Sequence, residues 1–228
     1  MALLDNAPAR TGPDLTLDID GSAGLSPGLV ADVTAACGAA EDRRTGVLVV
    51  RVTGRPAPGW ARDLDVGLVS KWERALRRLE RLPVVTVAVA SGDCGGTALD
   101  ALLVTDYRIA GPQVRLVPTV TDDVAWPGMA MYRLTQQAGV ARIRRAVLFG
   151  TPIDASEAAE LRLLDSVTDD PSWTPELDPD LLSRLSVPEA ALGRQLLLDA
   201  ATTSFEEALG AHLAACDRVL RRSAGASS

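Results

Sequence analysis

Two runs in the chain restrict its fold more than anything else. Val47-Leu48-Val49-Val50-Arg51-Val52 and Val84-Val85-Thr86-Val87-Ala88-Val89-Ala90 are nearly unbroken stretches of β-favouring residues. Strands apolar on both sides need cover on both faces, which is the habit of parallel sheets in α/β proteins. Between them, Leu64, Leu68, Trp72, Leu76 and Leu79 recur every three or four residues with Arg and Glu interleaved. That period predicts an amphipathic helix. Upstream, Leu15, Leu17 and Ile19 alternate with polar residues in a half-exposed strand that ends at Gly21, and Ser26-Pro27 opens a helix. Strands alternating with helices predict an α/β core with largely parallel strands.

Downstream, the pattern predicts an irregular acidic loop over 118–128, helices over about 129–138 and 141–149, and a helix over 155–162 capped by Asp154 or Ser156. A short strand, 163–167, closes the core. Prolines among acidic residues mark 168–187 as a linker, and 188–228 carries two amphipathic helices. The expected organisation is therefore a core over 1–167, a linker, and a C-terminal helical element for oligomerisation or partner docking.

Composition removes several function classes. Of 228 residues, 30 are acidic against 23 Lys and Arg, a net charge of −7. That sign disfavours non-specific nucleic-acid or anionic-membrane binding. Three scattered cysteines suit neither a disulfide framework nor a zinc cluster. A single histidine, His212, rules out a multi-histidine metal site and argues against a histidine-based triad. No apolar run has membrane-spanning length and no signal-peptide pattern opens the chain, so the cytoplasm is the expected location.

The most informative segment is 84–104. A buried strand runs into Gly92-Asp93-Cys94-Gly95-Gly96-Thr97 and then the apolar helix Ala98–Val104. The first N–H groups of a helix lack internal acceptors and sit at its positive end, and glycines admit a ligand close to the backbone. Such a bend can hold a phosphate, polarise a thioester oxygen, or serve as a tight turn alone. The glycine spacing fits neither common nucleotide fingerprint. Asp100, in the first turn of that helix, is a candidate proton-transfer group, or else a solvated partner of the helix dipole.

The order of pieces from about residue 14 to 167 resembles the enoyl-CoA hydratase/isomerase (crotonase) superfamily. The resemblance is carried by Leu82-Pro83 with its apolar strand, Gly92-x-Cys94-x-Gly96 and Ala98–Leu103. It continues through Thr105-Asp106-Tyr107-Arg108-Ile109-Ala110, Trp126-Pro127-Gly128 and Leu148-Phe149-Gly150-Thr151-Pro152-Ile153-Asp154-Ala155-x-Glu157-Ala158. It implies a spiral of ββα units with a C-terminal helical region, an oligomer, and an acyl-CoA substrate without a separate cofactor. It also implies an oxyanion hole of two backbone amides, one at Thr97 with Gly96 as the neighbouring candidate, the other at Arg62 in Trp60-Ala61-Arg62-Asp63-Leu64. The two family glutamates align with Asp100 and Thr119. The second position thus lacks a carboxylate, and Asp122 and Asp123 are the acidic residues nearest in sequence that can take its place.

Within that superfamily, the stretches 69–83, 92–100 and 141–150 look like the DpgB-type proteins of glycopeptide-antibiotic pathways. This narrower resemblance implies work beside a type III polyketide synthase-like partner, which makes 3,5-dihydroxyphenylacetyl-CoA from malonyl-CoA on the way to 3,5-dihydroxyphenylglycine. The role is either dehydration and aromatisation of the polyketide thioester or non-catalytic activation of the synthase. Outside the site, His212 reads as a surface or interface residue and Cys94 as a packing residue. The clusters Arg74, Arg77, Arg78, Arg81 and Arg142, Arg144, Arg145 read as solvated faces, or as a CoA phosphate contact. Trp126 reads as acyl-pocket wall or simple packing.

Overall fold

The computed structural model describes residues 15–43, 46–121, 124–169 and 187–225. The chain begins with β1 (Leu15–Asp20), a 3-10 turn at Gly21–Ala23 and α1 (Pro27–Arg43), then β2 (Val47–Gly54), α2 (Val66–Glu80), β3 (Val85–Gly95) and α3 (Thr97–Leu102). β4 (Tyr107–Ala110), β5 (Arg115–Val117), the short pair β6 (Val120–Thr121) and β7 (Val124–Ala125), α4 (Met129–Ala138) and α5 (Val140–Phe149) follow. The core ends with β8 (Ile153–Asp154), α6 (Ala155–Glu160) and β9 (Ser166–Val167), and the tail supplies α7 (Val187–Ala200) and α8 (Phe205–Gly225).

The main sheet has the order β1-β2-β3-β4-β9, all neighbours parallel, as the apolar runs require. β3 is long enough to pair twice. Its first half lies beside β4, while Asp93, Cys94 and Gly95 pair with Arg115, Leu116 and Val117 of β5. β8 runs antiparallel to β5. The segment read as a glycine-rich turn is therefore strand through Gly95, and only Gly96 makes the bend. The ladder holds because β5 supplies backbone partners where β4 has ended.

Side-chain alternation along β2 divides the core in two. Leu48, Val50 and Val52 face a large cluster with Val33 and Cys37 of α1, Trp72, Leu76 and Leu79 of α2, and Leu99 and Leu102 of α3. Val47 and Val49 face the other way, with Val85, Val87, Ile109 and, from α7, Ala190. Arg194 of α7 reaches back to the carbonyls of Leu82 and Val84 and to Asp106, while Arg81 meets Asp199 at 3.4 Å. The tail thus begins as cover for the sheet. α8 leaves Phe205, Leu213 and Leu220 exposed.

Smaller differences have local causes. α2 starts at Val66 rather than at Leu64, because the Asp65 carboxylate accepts from the Leu68 amide at 2.9 Å and caps it there. The acidic loop contains the β6–β7 pair. The last core strand is reduced to Ser166–Val167, since Leu163 and Leu164 donate their amides to Ala158 O behind α6. Of the expected linker, residues 170–186 lie outside the described residues.

Three strand ends converge at Gly21. A Cβ there would stand 2.4 Å from the Gly95 carbonyl and 2.6 Å from that of Gly54. Both obstacles are backbone, so neither can swing aside. Replacing Gly21 with alanine is expected to lower unfolding stability by about 1–3 kcal/mol through overpacking, measurable by denaturant titration.

Candidate active site

The site is built where β3 stops. Gly96 has φ +54 and ψ −127, a backbone conformation that side-chain-bearing residues avoid, and a Cβ on it would press Pro56 at 3.0 Å. The bend starts α3, leaving Thr97 in its first turn with a backbone N–H that has no partner among the described residues. The Thr97 hydroxyl is also buried and unpartnered. One turn on, the Asp100 amide donates to Gly96 O at 2.9 Å and its side chain turns to the same cavity as Thr97.

α2 brings the facing wall. Trp72 is 2% exposed, and its indole N–H donates to Asp100 Oδ2 at 3.0 Å. Glu73, next in sequence, also lines the cavity and accepts from Arg133 Nη2 of α4 at 2.8 Å. Trp60 and Trp126 border the opening in an edge-to-face contact, ring centroids 4.9 Å apart and planes inclined 72°. The enclosed space is about 40 Å³, enough for about one or two waters.

Burial dominates the electrostatics of Asp100 and pushes its carboxyl up to about 6. The Trp72 hydrogen bond pulls it back down, the Glu73 charge pushes it further up and Arg133 opposes that. Both protonation states are therefore populated near neutral pH, as a group that takes and returns protons needs.

Thr97 and Asp100 come together as the sequence predicts, and Thr119 stands in the same wall. The other expected donors do not join them. The Gly96 N–H is taken by Thr119 Oγ1 at 3.0 Å. The Arg62 N–H closes a turn onto Gly59 O at 3.2 Å, and Arg62 borders an outer cleft with Arg55, Pro56 and Thr121 instead. The expectation of a convergent Arg62 amide is corrected by that turn, whose Gly59 has φ +77 and draws the segment back on itself. Asp122 and Asp123 lie outside the described residues.

The sequence reading missed Glu73, Arg133 and the Trp72 indole. A signal for Glu73 existed: with Val69, Trp72 and Leu76 it completes an i, i+3, i+4, i+7 stripe, so it sits on the inward face. Cys94 is buried, its thiol pushed up to about 12 by desolvation, and it points at the carbonyls of Val52 and Ser91, 3.6 Å away. His212 lines a groove between α7 and α8. Of the arginine clusters, Arg78 is tied to Glu41 and Arg77 to Glu80, and Arg142, Arg144 and Arg145 are exposed. Among the described residues, no helix is long and apolar enough to cross a membrane.

The fold that carries this helix start and its carboxyl is shared by known structures. An enoyl-CoA hydratase/isomerase from Marinobacter aquaeolei superposes with a TM-score of 0.74 at 20% identity, covering 93% of this chain and 90% of that one. An enoyl-CoA hydratase from Bacillus anthracis gives 0.72 at 17% identity, over 92% and 88%. A protein named enoyl-CoA-hydratase from Amycolatopsis orientalis is 53% identical over 212 residues, 92% of this chain and 98% of its own length. No family model matches the chain. The chain belongs to the enoyl-CoA hydratase/isomerase family.

Because folding raises the Asp100 pKa from the ordinary 3.8 to about 6, its ionised form opposes folding. The neutral form carries no such penalty, so the stability is intact below about pH 4 and is lost as pH climbs through 6. Asp100→Asn is expected to melt higher than the parent at pH 8, by about 2–3 kcal/mol of stability, and to match it near pH 4. Thermal unfolding across that range checks the sign.

Proposed function

We propose that this protein acts on a polyketide-derived CoA thioester, removing water from it so that a ring can aromatise to 3,5-dihydroxyphenylacetyl-CoA beside a type III polyketide synthase-like partner. The observation that carries the chemistry is Asp100, a carboxyl titrating near 6 on the wall of a closed cavity, one turn beyond the unpaired Thr97 amide. The partner and the product rest on the sequence resemblance to DpgB-type proteins.

In this reading the thioester oxygen lies against the Thr97 N–H, at a positive helix end. Withdrawal of electrons toward that oxygen makes the neighbouring C–H acidic. That hydrogen is removed as a proton, and Asp100 gives a proton to the departing hydroxyl, which leaves as water. No group beyond the side chains and the thioester itself enters the step. Thr119 offers a hydroxyl that already accepts from Gly96 and keeps its own proton to donate. Entry of an acyl group needs more room than two waters, so Trp60 and Trp126 must part. The cleft carrying Arg55 and Arg62 lies beyond Trp60, where the CoA phosphates would run.

A second reading, a scaffold that binds and activates the synthase without chemistry of its own, is favoured by one observation. Thr119 stands where the family places its second glutamate, and its hydroxyl is engaged in holding Gly96. Reconstitution with the synthase separates the two. With Asp100→Ala, dihydroxyphenylacetyl-CoA formation is expected to fall by about 100-fold or more while the complex still forms in gel filtration. Unchanged product with an intact complex would establish the scaffold instead.

A further inference from the structure

The resemblance aligns the second family carboxylate with a threonine, yet the cavity has two carboxyl groups on its wall: Asp100 of α3 and Glu73 of α2. We infer that Glu73 is the second proton-transfer residue of this site, taking the hydrogen next to the thioester carbonyl while Asp100 serves the leaving hydroxyl. The inference rests on the thioester chemistry proposed above and deepens it.

The pairing of Glu73 with Arg133 leaves room for this role. Arginine–carboxylate pairs frequently form a two-point fork, with paired N–H···O contacts. Arg78 and Glu41 do so on the surface, at 2.8 and 2.6 Å. Arg133 and Glu73 make a single contact, Nη2 to Oε2. Arg133 Nη1 is buried without an acceptor, and among the described residues the hydrogen bond to the Glu73 carboxylate uses Oε2. Arg133 is 8% exposed, so this incomplete pairing is held in the interior, where an unmade bond is disfavoured. Glu73 Oε1 stays outside that contact, on a residue that lines the cavity.

The step balances. The α C–H bond breaks and its proton passes to Glu73 Oε1, while the electron pair moves into an enolate whose oxygen rests on the Thr97 amide. The enolate then re-forms the thioester carbonyl and a new carbon–carbon double bond as the β C–O bond breaks. Protonated Asp100 gives its proton to that oxygen, releasing water. Return of the proton from Glu73 to ionised Asp100 through a cavity water restores the start.

The first half can be read without the synthase. Phenylacetyl-CoA in D₂O has exchangeable α-hydrogens and no leaving group, and NMR follows their replacement. The parent protein is expected to catalyse exchange, and Glu73→Gln, which keeps an amide oxygen for Arg133, to lose about 100-fold or more with phenylacetyl-CoA still bound. The double variant Glu73→Gln with Arg133→Met removes both charges together, a change that buried pairs often tolerate, and is expected to show the same loss. Exchange at the parent rate in either folded variant overturns the role of Glu73, as does an absence of exchange by the parent. Exchange that depends on Glu73, with no effect on the synthase reaction, leaves Glu73 in place and removes the pathway assignment.

Discussion

The hydrogen bond from Trp72 to Asp100 joins the two halves of the site, and much of the architecture follows from keeping it. A carboxyl packed into protein loses hydration, and among the described residues its side-chain donor is a neutral indole N–H. A guanidinium at the same distance would favour the ionised form of Asp100. An apolar neighbour would favour the protonated form. The indole stops between those limits. It can do so only if α2 presents Trp72 at the height of the first turn of α3, which the Asp65 cap and the Gly96 bend fix from opposite ends.

The same logic explains the glycines at the strand ends. Gly21, Gly54 and Gly95 meet backbone to backbone, so β1, β2 and β3 finish in one plane. α3 then leaves that plane directly into the cavity. The ion pair of Arg133 with Glu73 anchors α4 onto α2 across the same space. A structural contact and a wall of the site are one interaction here, and a change at either end moves the cavity.

Much of this was legible in the sequence because its cause is local. The β-branched runs and the helical stripe of α2 depend on neighbours within a few residues and appear close to where the pattern puts them, while the turn expected over 92–97 narrows to Gly96 because β5 extends the ladder. Asp100 and Thr97 were legible for the same reason, being on one turn of one helix. Arg62 was not. Whether its amide faces a ligand or a turn depends on the backbone of Gly59, and nothing in the residue types decides that. Glu73 stood in a helix with many charged residues, and only the apolar stripe it interrupts marks it as inward. Its tie to Arg133, sixty residues away, is a tertiary fact.

Thr119 is the position that the resemblance aligns with a family glutamate, and its hydroxyl has a different partner here. A glutamate there would sit beside Asp100 as a second carboxyl on the same wall, suited to orienting a water for addition. Threonine instead supplies a hydroxyl that fixes Gly96, and the remaining carboxyl, Glu73, comes from the facing wall. In the proposed reaction, carboxyls carried on two different helices address different atoms of one substrate.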